Sequence, residues 1–324
     1  MPLTMSVVIP TYNRALAFER LLKTLDQQTF PADQWEVIAV DDGSTDPEYG
    51  RVTGAAHRFA FRFLRQNHEG SVAARNLGAC NSQAEFLLFL DDDIVVEPDF
   101  IACLLEAHRV SDRAILMGTF IPYNGGEESP FRKAIARFGV TQNFATAGEE
   151  VLFTDVVSHN LSMKRNDWLE IGMFQDPTGG KGWAPWDDTD LAYRAKRMGF
   201  IFRQVPGAVG SHVDGVQDDF RKHCDRIQRA ARSVHYLFAK YPELAGQLPM
   251  FLDKTPVDLS KDSPRLALRK CFRAITAWKP VLRGMEWLIG ICERRFSNSI
   301  LLVELYRWVN SSYIYNGYRS GLAA

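Results

Sequence analysis

Over roughly its first 200 residues the chain alternates short apolar runs with segments whose apolar residues recur every three or four positions. Residues 6–10 (SVVIP), 36–40 (EVIAV) and 85–90 (EFLLFL) read as buried strands. Phe18, Leu21, Leu22 and Leu25 mark one apolar helix face; Ala73, Leu77 and Cys80 mark a second, and Phe100, Cys103, Leu104 and Ala107 a third. Strands joined by crossover helices build an α/β sheet with a helix over each face. Further strands are expected over 155–164 and 200–213. Phe220, Cys224, Ile227, Ala231, Val234 and Phe238 then predict a long amphipathic helix. Residues 242–264 are rich in turn formers, which places a boundary near 250: a main domain over 1–250, then a linker and helical extension over 251–324. Residues 123–150 break the pattern and read as a partly helical, mobile insertion.

With 324 residues, 46% of them hydrophobic, the chain can bury a sizeable core. A formal net charge of −1 gives no overall attraction to nucleic acid, so an anionic partner must be held locally. The five cysteines are odd in number and scattered, against both a disulfide framework and a thiolate metal site, and a reducing cytoplasm is expected. No signal peptide is read at the start, and no apolar run approaches the roughly 18 residues of a spanning helix. Between 265 and 295, Arg265, Arg269, Lys270, Arg273, Lys279, Arg283, Arg294 and Arg295 face only Glu286 and Glu293, with Trp278, Trp287, Leu288, Ile289 and Ile291 interleaved. Two readings stay open: amphipathic helices on an anionic membrane surface, at the inner face of the cell membrane, or a tail packed on the main domain with a solvated basic face.

The chemistry concentrates where strands end. Asp91, Asp92 and Asp93 follow FLLFL directly, and three adjacent anions beyond the carboxyl end of a strand are best explained by a bound hard cation. Alternation along an extended chain would point Asp91 and Asp93 the same way. Asp41-Asp42-Gly43-Ser44 ends the strand EVIAV similarly; such a carboxylate can accept hydrogen bonds from a ribose or base, although the same four residues also make a plain turn. In Trp183-Ala184-Pro185-Trp186-Asp187-Asp188, tryptophans beside carboxylates suit a sugar site, while Asp is also an ordinary helix-start residue. His212 can join a metal shell or serve structure alone.

As a set, SVVIPTYNRALAFERLLKTLDQQTF, VIAVDDGSTD and NHEGSVAARNLGACNSQAEFLLFLDDDIVVEPDF, in that order, resemble the family 2 glycosyltransferases of the GT-A fold, over about residues 4–240. The resemblance implies a Rossmann-like mixed sheet flanked by helices, the fold of nucleotide-diphospho-sugar transferases, with a helical C-terminal extension. It implies that Pro10, Thr11 and Tyr12 line the base and ribose pocket, that Asp42 receives a base N–H, and that Arg75 and Asn76 close on the nucleotide. Asp91 and Asp93 match the ends of a DxD motif: Asp93 binds Mn2+ or Mg2+, Asp91 binds ribose or metal, and Asp92 is assigned to the donor site without a fixed role. His212 matches a later metal ligand. Asp188 matches the catalytic base, and Asp187 stands where Glu is usual, shorter by one methylene, as an acceptor-binding or supporting carboxylate beside Trp183 and Trp186.

The implied reaction is displacement at the anomeric carbon of a nucleotide-sugar, UDP being the commonest nucleotide, by an acceptor hydroxyl with inversion. It suits a hexosyl- or N-acetylhexosaminyltransferase of glycan or polysaccharide biosynthesis with a glycan or lipid-linked acceptor. Residues 175–186 and 123–150 are candidate lids. A nucleotidyltransferase would also use carboxylates at strand ends, but no Walker-type loop is present. A binding module that has lost catalysis would have a broken base position, and Asp188 is intact.

Overall fold

Each apolar run became a strand because its residues are covered on both sides: β1 (Met5–Thr11), β2 (Trp35–Asp41) and β4 (Phe86–Leu90) are buried almost throughout. The computed structural model describes residues 3–121, 129–131, 133, 150–176, 178, 184–213, 219–296 and 299–322. Trp183, most of 123–150 and much of 175–186 therefore lie outside the described residues. The described chain forms two compact units, one of residues 1–124 and 143–214, the other of 125–142 and 215–324.

The first unit holds an eight-stranded sheet of order β3-β2-β1-β4-β7-β6-β8-β5. β3 (Ala60–Arg65), β2, β1 and β4 are mutually parallel. β7 (Asn160–Lys164) runs antiparallel to β4 and to β6 (Ala114–Ile121), making the sheet mixed. β8 (Ile201–His212) pairs parallel with β6, and its far end pairs antiparallel with the short β5 (Ile94–Val96). The β6–β8 register jumps from Gly118↔Val205 to Thr119↔Val209, a bulge that absorbs Pro206, where a regular ladder would lack a donor.

Helices α1 (Ala15–Leu25), α3 (Ser71–Cys80) and α4 (Phe100–Arg109) lie in the crossovers, with the short α2 (Tyr49–Thr53) before β3. α1 buries Ala15, Phe18, Leu21, Leu22 and Leu25, the stripe its spacing predicts. α5 (Arg165–Ile171) follows β7, and α6 (Asp187–Arg197) precedes β8.

The second unit is helical among its described residues. α7 (Phe220–Lys240) starts on Asp219, whose side chain accepts from the N–H groups of Arg221 and Lys222. α8 (Pro264–Thr276) starts with Pro after the cap Ser263. α9 (Lys279–Arg295) and α10 (Ile300–Leu322) follow. The helix expected to close the main domain thus belongs by its packing to the second unit, and the division falls after residue 214. An Ala-sized side chain at Gly317 or Gly321 of α10 would approach the carbonyls of Gln228 or Arg232 of α7, so the two helices meet at close range. No described helix is long and apolar enough to cross a membrane.

Candidate functional site

Sheet register assembles the site at the ends of β1, β2 and β4. Leu90 pairs with Asn160, which brings His159 to Asp91, whose N–H donates to the His159 carbonyl at 3.2 Å. Ile94 pairs with His212, and Val213 N–H donates to the Asp93 carbonyl at 2.9 Å. His212 Nδ1 consequently stands 3.5 Å from Asp93 Oδ1. Phe120 packs against both imidazoles, with ring centroids 4.7 Å from His159 and 5.7 Å from His212.

The carboxylate triplet is not extended. A turn closed by Ile94 N–H to the Asp91 carbonyl (3.3 Å) breaks the alternation expected of a strand, and Asp91 and Asp93 take different partners. Arg14 Nη1 lies 2.7 Å from Asp93 Oδ2 and 3.5 Å from Asp92 Oδ1. Thr11 Oγ1 donates to Asp92 Oδ2 at 2.7 Å and is 2.6 Å from the Tyr49 hydroxyl. Burial and the neighbouring Asp93 charge push the Asp92 carboxyl up to about 7. Burial also raises Asp91, but the Arg75 guanidinium, with His159 and His212, outweighs it and holds that carboxyl below its usual range.

Arg75, buried on α3, donates to Asp91 Oδ1 at 2.7 Å and to Asp187 Oδ2 at 2.9 Å, with Phe174 against its guanidinium at 5.7 Å. One cation therefore ties the acidic turn after β4 to the start of α6. Its neighbour Asn76 clasps the backbone of Phe174, donating to the carbonyl at 2.9 Å and accepting from the N–H at 3.2 Å. Both residues bind protein groups here rather than standing open.

At the α6 start, Asp187 Oδ1 accepts the Asp188 N–H at 2.9 Å and Asp188 Oδ1 accepts the Thr189 N–H at 2.7 Å. Burial raises Asp187 to about 7 against the pull of Arg75. Burial raises Asp188 to about 6, opposed by the Thr189 N–H and by Arg75. Trp186 is 7% exposed, packed inside rather than offered as a stacking face.

Asp42 braces the loop after β3. Its carboxylate accepts from Glu69 N–H (2.8 Å), Gly70 N–H (3.0 Å) and Gln66 Nε2 (2.7 Å), and His68 Nδ1 lies 2.9 Å away. Gly70 has φ of +96°, which an L side chain rarely adopts, and this conformation aims its N–H at Asp42. Tyr12, 42% exposed, stacks on His68 with centroids 4.3 Å apart and 24° between planes. Pro10 is half-buried at the end of β1.

Sequence reasoning missed Arg14, Tyr49, His68 and His159. Arg14 and His68 sit inside the motifs that carry the family resemblance, but their partners come from other strands. His159 directly precedes the first residue of β7, and only the β4–β7 pairing reveals its neighbour.

For a divalent cation, Asp93 and His212 form a facing oxygen and nitrogen donor pair, a chemistry suited to Mn2+. Among the described residues no three His, Cys, Asp or Glu side chains converge into a ready ligand set, because Asp91 is engaged by Arg75 and Asp93 also by Arg14.

The model of Glycosyl transferase family 2 matches residues 6–166. Validoxylamine A glucosyltransferase of Streptomyces hygroscopicus subsp. jinggangensis is 26% identical over 312 residues, covering 88% of this chain and 70% of that protein. In structure the chain is similar to mannosyltransferase PcManGT from Pyrobaculum calidifontis in complex with GDP-Man and Mn2+, with a TM-score of 0.59 and 16% identity over 98% of this chain and 89% of the other. It is also similar to S. aureus TarS 1–349 in complex with UDP, with a TM-score of 0.53 and 17% identity over 98% and 91%. These structural likenesses show the fold, which is GT-A.

Proposed function

The chain belongs to glycosyl transferase family 2, and we propose that as a glycosyltransferase it moves a hexosyl or N-acetylhexosaminyl group from a nucleotide-sugar, UDP-linked in the first instance, to a hydroxyl of a glycan or lipid-linked acceptor, with inversion at the anomeric carbon. The observation that carries the reading is the Arg75 bridge, which links Asp91 to Asp187 and so sets Asp188 beside the strand ends. Base and ribose lie at Pro10, Thr11, Asp42 and the Tyr12–His68 stack, whose flat exposed face suits a nucleobase.

Asp188 takes the proton of the acceptor hydroxyl as the oxygen attacks. With its carboxyl at about 6 it is mostly ionised at neutral pH yet more basic than an ordinary aspartate. Asp187, already bonded to Arg75, acts as the support that orients Asp188 through the latter's N–H. Trp183, outside the described residues, is the remaining candidate for stacking on the acceptor sugar, since Trp186 is buried. Asp93 and His212 would hold Mn2+ or Mg2+ with Asp91 alongside, and the bound cation would supply Lewis-acid compensation of the departing diphosphate charge. PcManGT, of the same fold, binds GDP-Man and Mn2+, which supports the metal assignment.

Asp188→Asn tests the base. Transfer should fall by roughly two to four orders of magnitude while calorimetric donor affinity stays within about twofold. Normal turnover would reject the assignment, since Asn caps helices about as well as Asp; loss of donor binding would move Asp188 into the nucleotide site.

A further inference from the structure

Helix α8 is built inside out. Its buried polar residues are Lys270, Arg273 and Thr276, whereas Leu268, Phe272 and Ile275, at i, i+4 and i+7, are 72%, 43% and 59% exposed. Periodicity alone gives the helix two faces but not their orientation, and ion pairs settle it. Lys270 Nζ lies 2.7 Å from both oxygens of Asp262. Arg273 Nη2 lies 3.3 Å from Asp253 Oδ2, and the same carboxylate takes Arg269 Nε at 2.8 Å and pairs with Lys254. These contacts hold the basic side against residues 253–262 and turn the aliphatic and aromatic side outward.

The patch continues beyond the helix. Trp278, between α8 and α9, is 64% exposed, and Trp308 of α10 packs edge-on against Phe272 with centroids 5.1 Å apart. Arg265, Lys279 and Arg283 are exposed nearby in sequence. The only acidic residues of α8 and α9, Glu286 and Glu293, accept hydrogen bonds at 2.6 Å from the hydroxyls of Tyr313 and Tyr306. Neither of these carboxylates is exposed, whereas Glu304 of α10 is partly exposed and pairs with Arg307 at 2.6 Å.

We propose that the Leu268–Phe272–Ile275 face of α8, with Trp278, docks into the headgroup region of an anionic lipid bilayer. An exposed apolar stripe beside tryptophan and exposed cations, with both carboxylates of α8 and α9 tied to tyrosine hydroxyls, matches what such an interface selects: apolar insertion, an amphipathic ring at headgroup depth and attraction to anionic lipid. No described helix can span, so the contact is interfacial. A second copy of this chain would present the same cations to itself and be repelled. The proposal rests on the second unit alone and stands whatever sugar the first unit transfers.

The test is flotation of the full-length protein with vesicles of phosphatidylcholine alone or with phosphatidylglycerol at about one-third, at low and high salt. Binding should require the anionic lipid, weaken with salt, and fall about fivefold for each of Arg265→Gln and Arg283→Gln. Leu268→Ser/Phe272→Ser/Ile275→Ser should lower it at least tenfold while donor binding and the circular dichroism spectrum stay those of the wild type. Equal recovery with both vesicle types, or undiminished binding by the triple variant, overturns the proposal. So does absence of vesicle binding together with a concentration-dependent dimer that the triple variant abolishes, which would make the face a contact between copies.

Discussion

Arg75 is the residue on which the electrostatics of the site turn. A buried guanidinium shared by two carboxylates offsets the desolvation of all three groups only while both contacts hold, and removing one partner of such a group costs about 3–5 kcal/mol. Because Arg75 lowers both Asp187 and Asp188, its loss also moves the protonation of Asp188, the proposed base. The acidic limb of kcat/KM in the wild type should fall near pH 6, and Arg75→Gln should move it upward, whereas Arg75→Lys, which keeps the charge but cannot span both carboxylates, should move it less. A pH–rate profile unmoved by Arg75→Gln would show that the bridge has no part in tuning the base. Asp92 bears on stability instead. Its carboxyl is raised to about 7, so between about pH 4 and 7 the folded state holds a proton that the unfolded chain has released, and stability falls as pH rises through that window. Asp92→Asn, which keeps an acceptor for Thr11, should therefore raise Tm by several degrees at pH 8 without added metal and change it little at pH 4. Calorimetric melts at the two pH values check this; an equal shift at both would contradict it.

At the scale of elements, what matters is how closely α3 and β1 approach, because α3 carries Arg75 and Asn76 while β1 carries Thr11. A Cβ at Gly78 would lie 2.5 Å from Val8 Cγ1, so Gly78→Ala forces the helix away from the strand. The expected cost is about 1–3 kcal/mol, with a larger proportional fall in kcat than the stability loss accounts for, because Arg75 moves with the helix. Thermal melts and rates on the same variant measure both. The central strands and crossover helices were legible in the sequence because each is a dense local pattern: SVVIP, EVIAV and FLLFL are buried on both faces, and α1 repeats its apolar spacing without interruption. β3, β6 and the short β5 were not, the last because three residues carry no period, nor was the order in which β6, β7 and β8 pair. The same limit applies to the site. Asp42, Asp91, Asp93 and Asp188 stand out as acids in turns or at a helix start. The contacts of Arg14 and His159, by contrast, depend on register, and no local pattern reveals register.

On the scale of the whole molecule each of the two units has its own apolar core. The first packs helices on a sheet, and in the second α7 and α10 also meet closely at Gly317 and Gly321. Gly317→Leu would drive a side chain into the carbonyl of Gln228, 2.3 Å from an ideal Cβ, and should lower the Tm of the helical unit. Because the proposed transfer site is built from residues of the first unit, nucleotide binding measured at low temperature should survive that change; its loss would show that the helical unit contributes to the site. The central claim is that the acidic turn after β4 and the loop braced by Asp42 bind a nucleotide-sugar for transfer. The most direct measurement is calorimetric titration of the full-length protein with a panel of UDP- and GDP-sugars in Mn2+, each positive repeated on Asp93→Ala and scored for slow sugar hydrolysis without acceptor. The account predicts that at least one nucleotide-sugar binds, that Mn2+ strengthens its binding, that Asp93→Ala abolishes this dependence with the fold intact, and that the bound donor is hydrolysed slowly. Binding of no nucleotide-sugar, or full affinity and turnover in excess chelator, would contradict it.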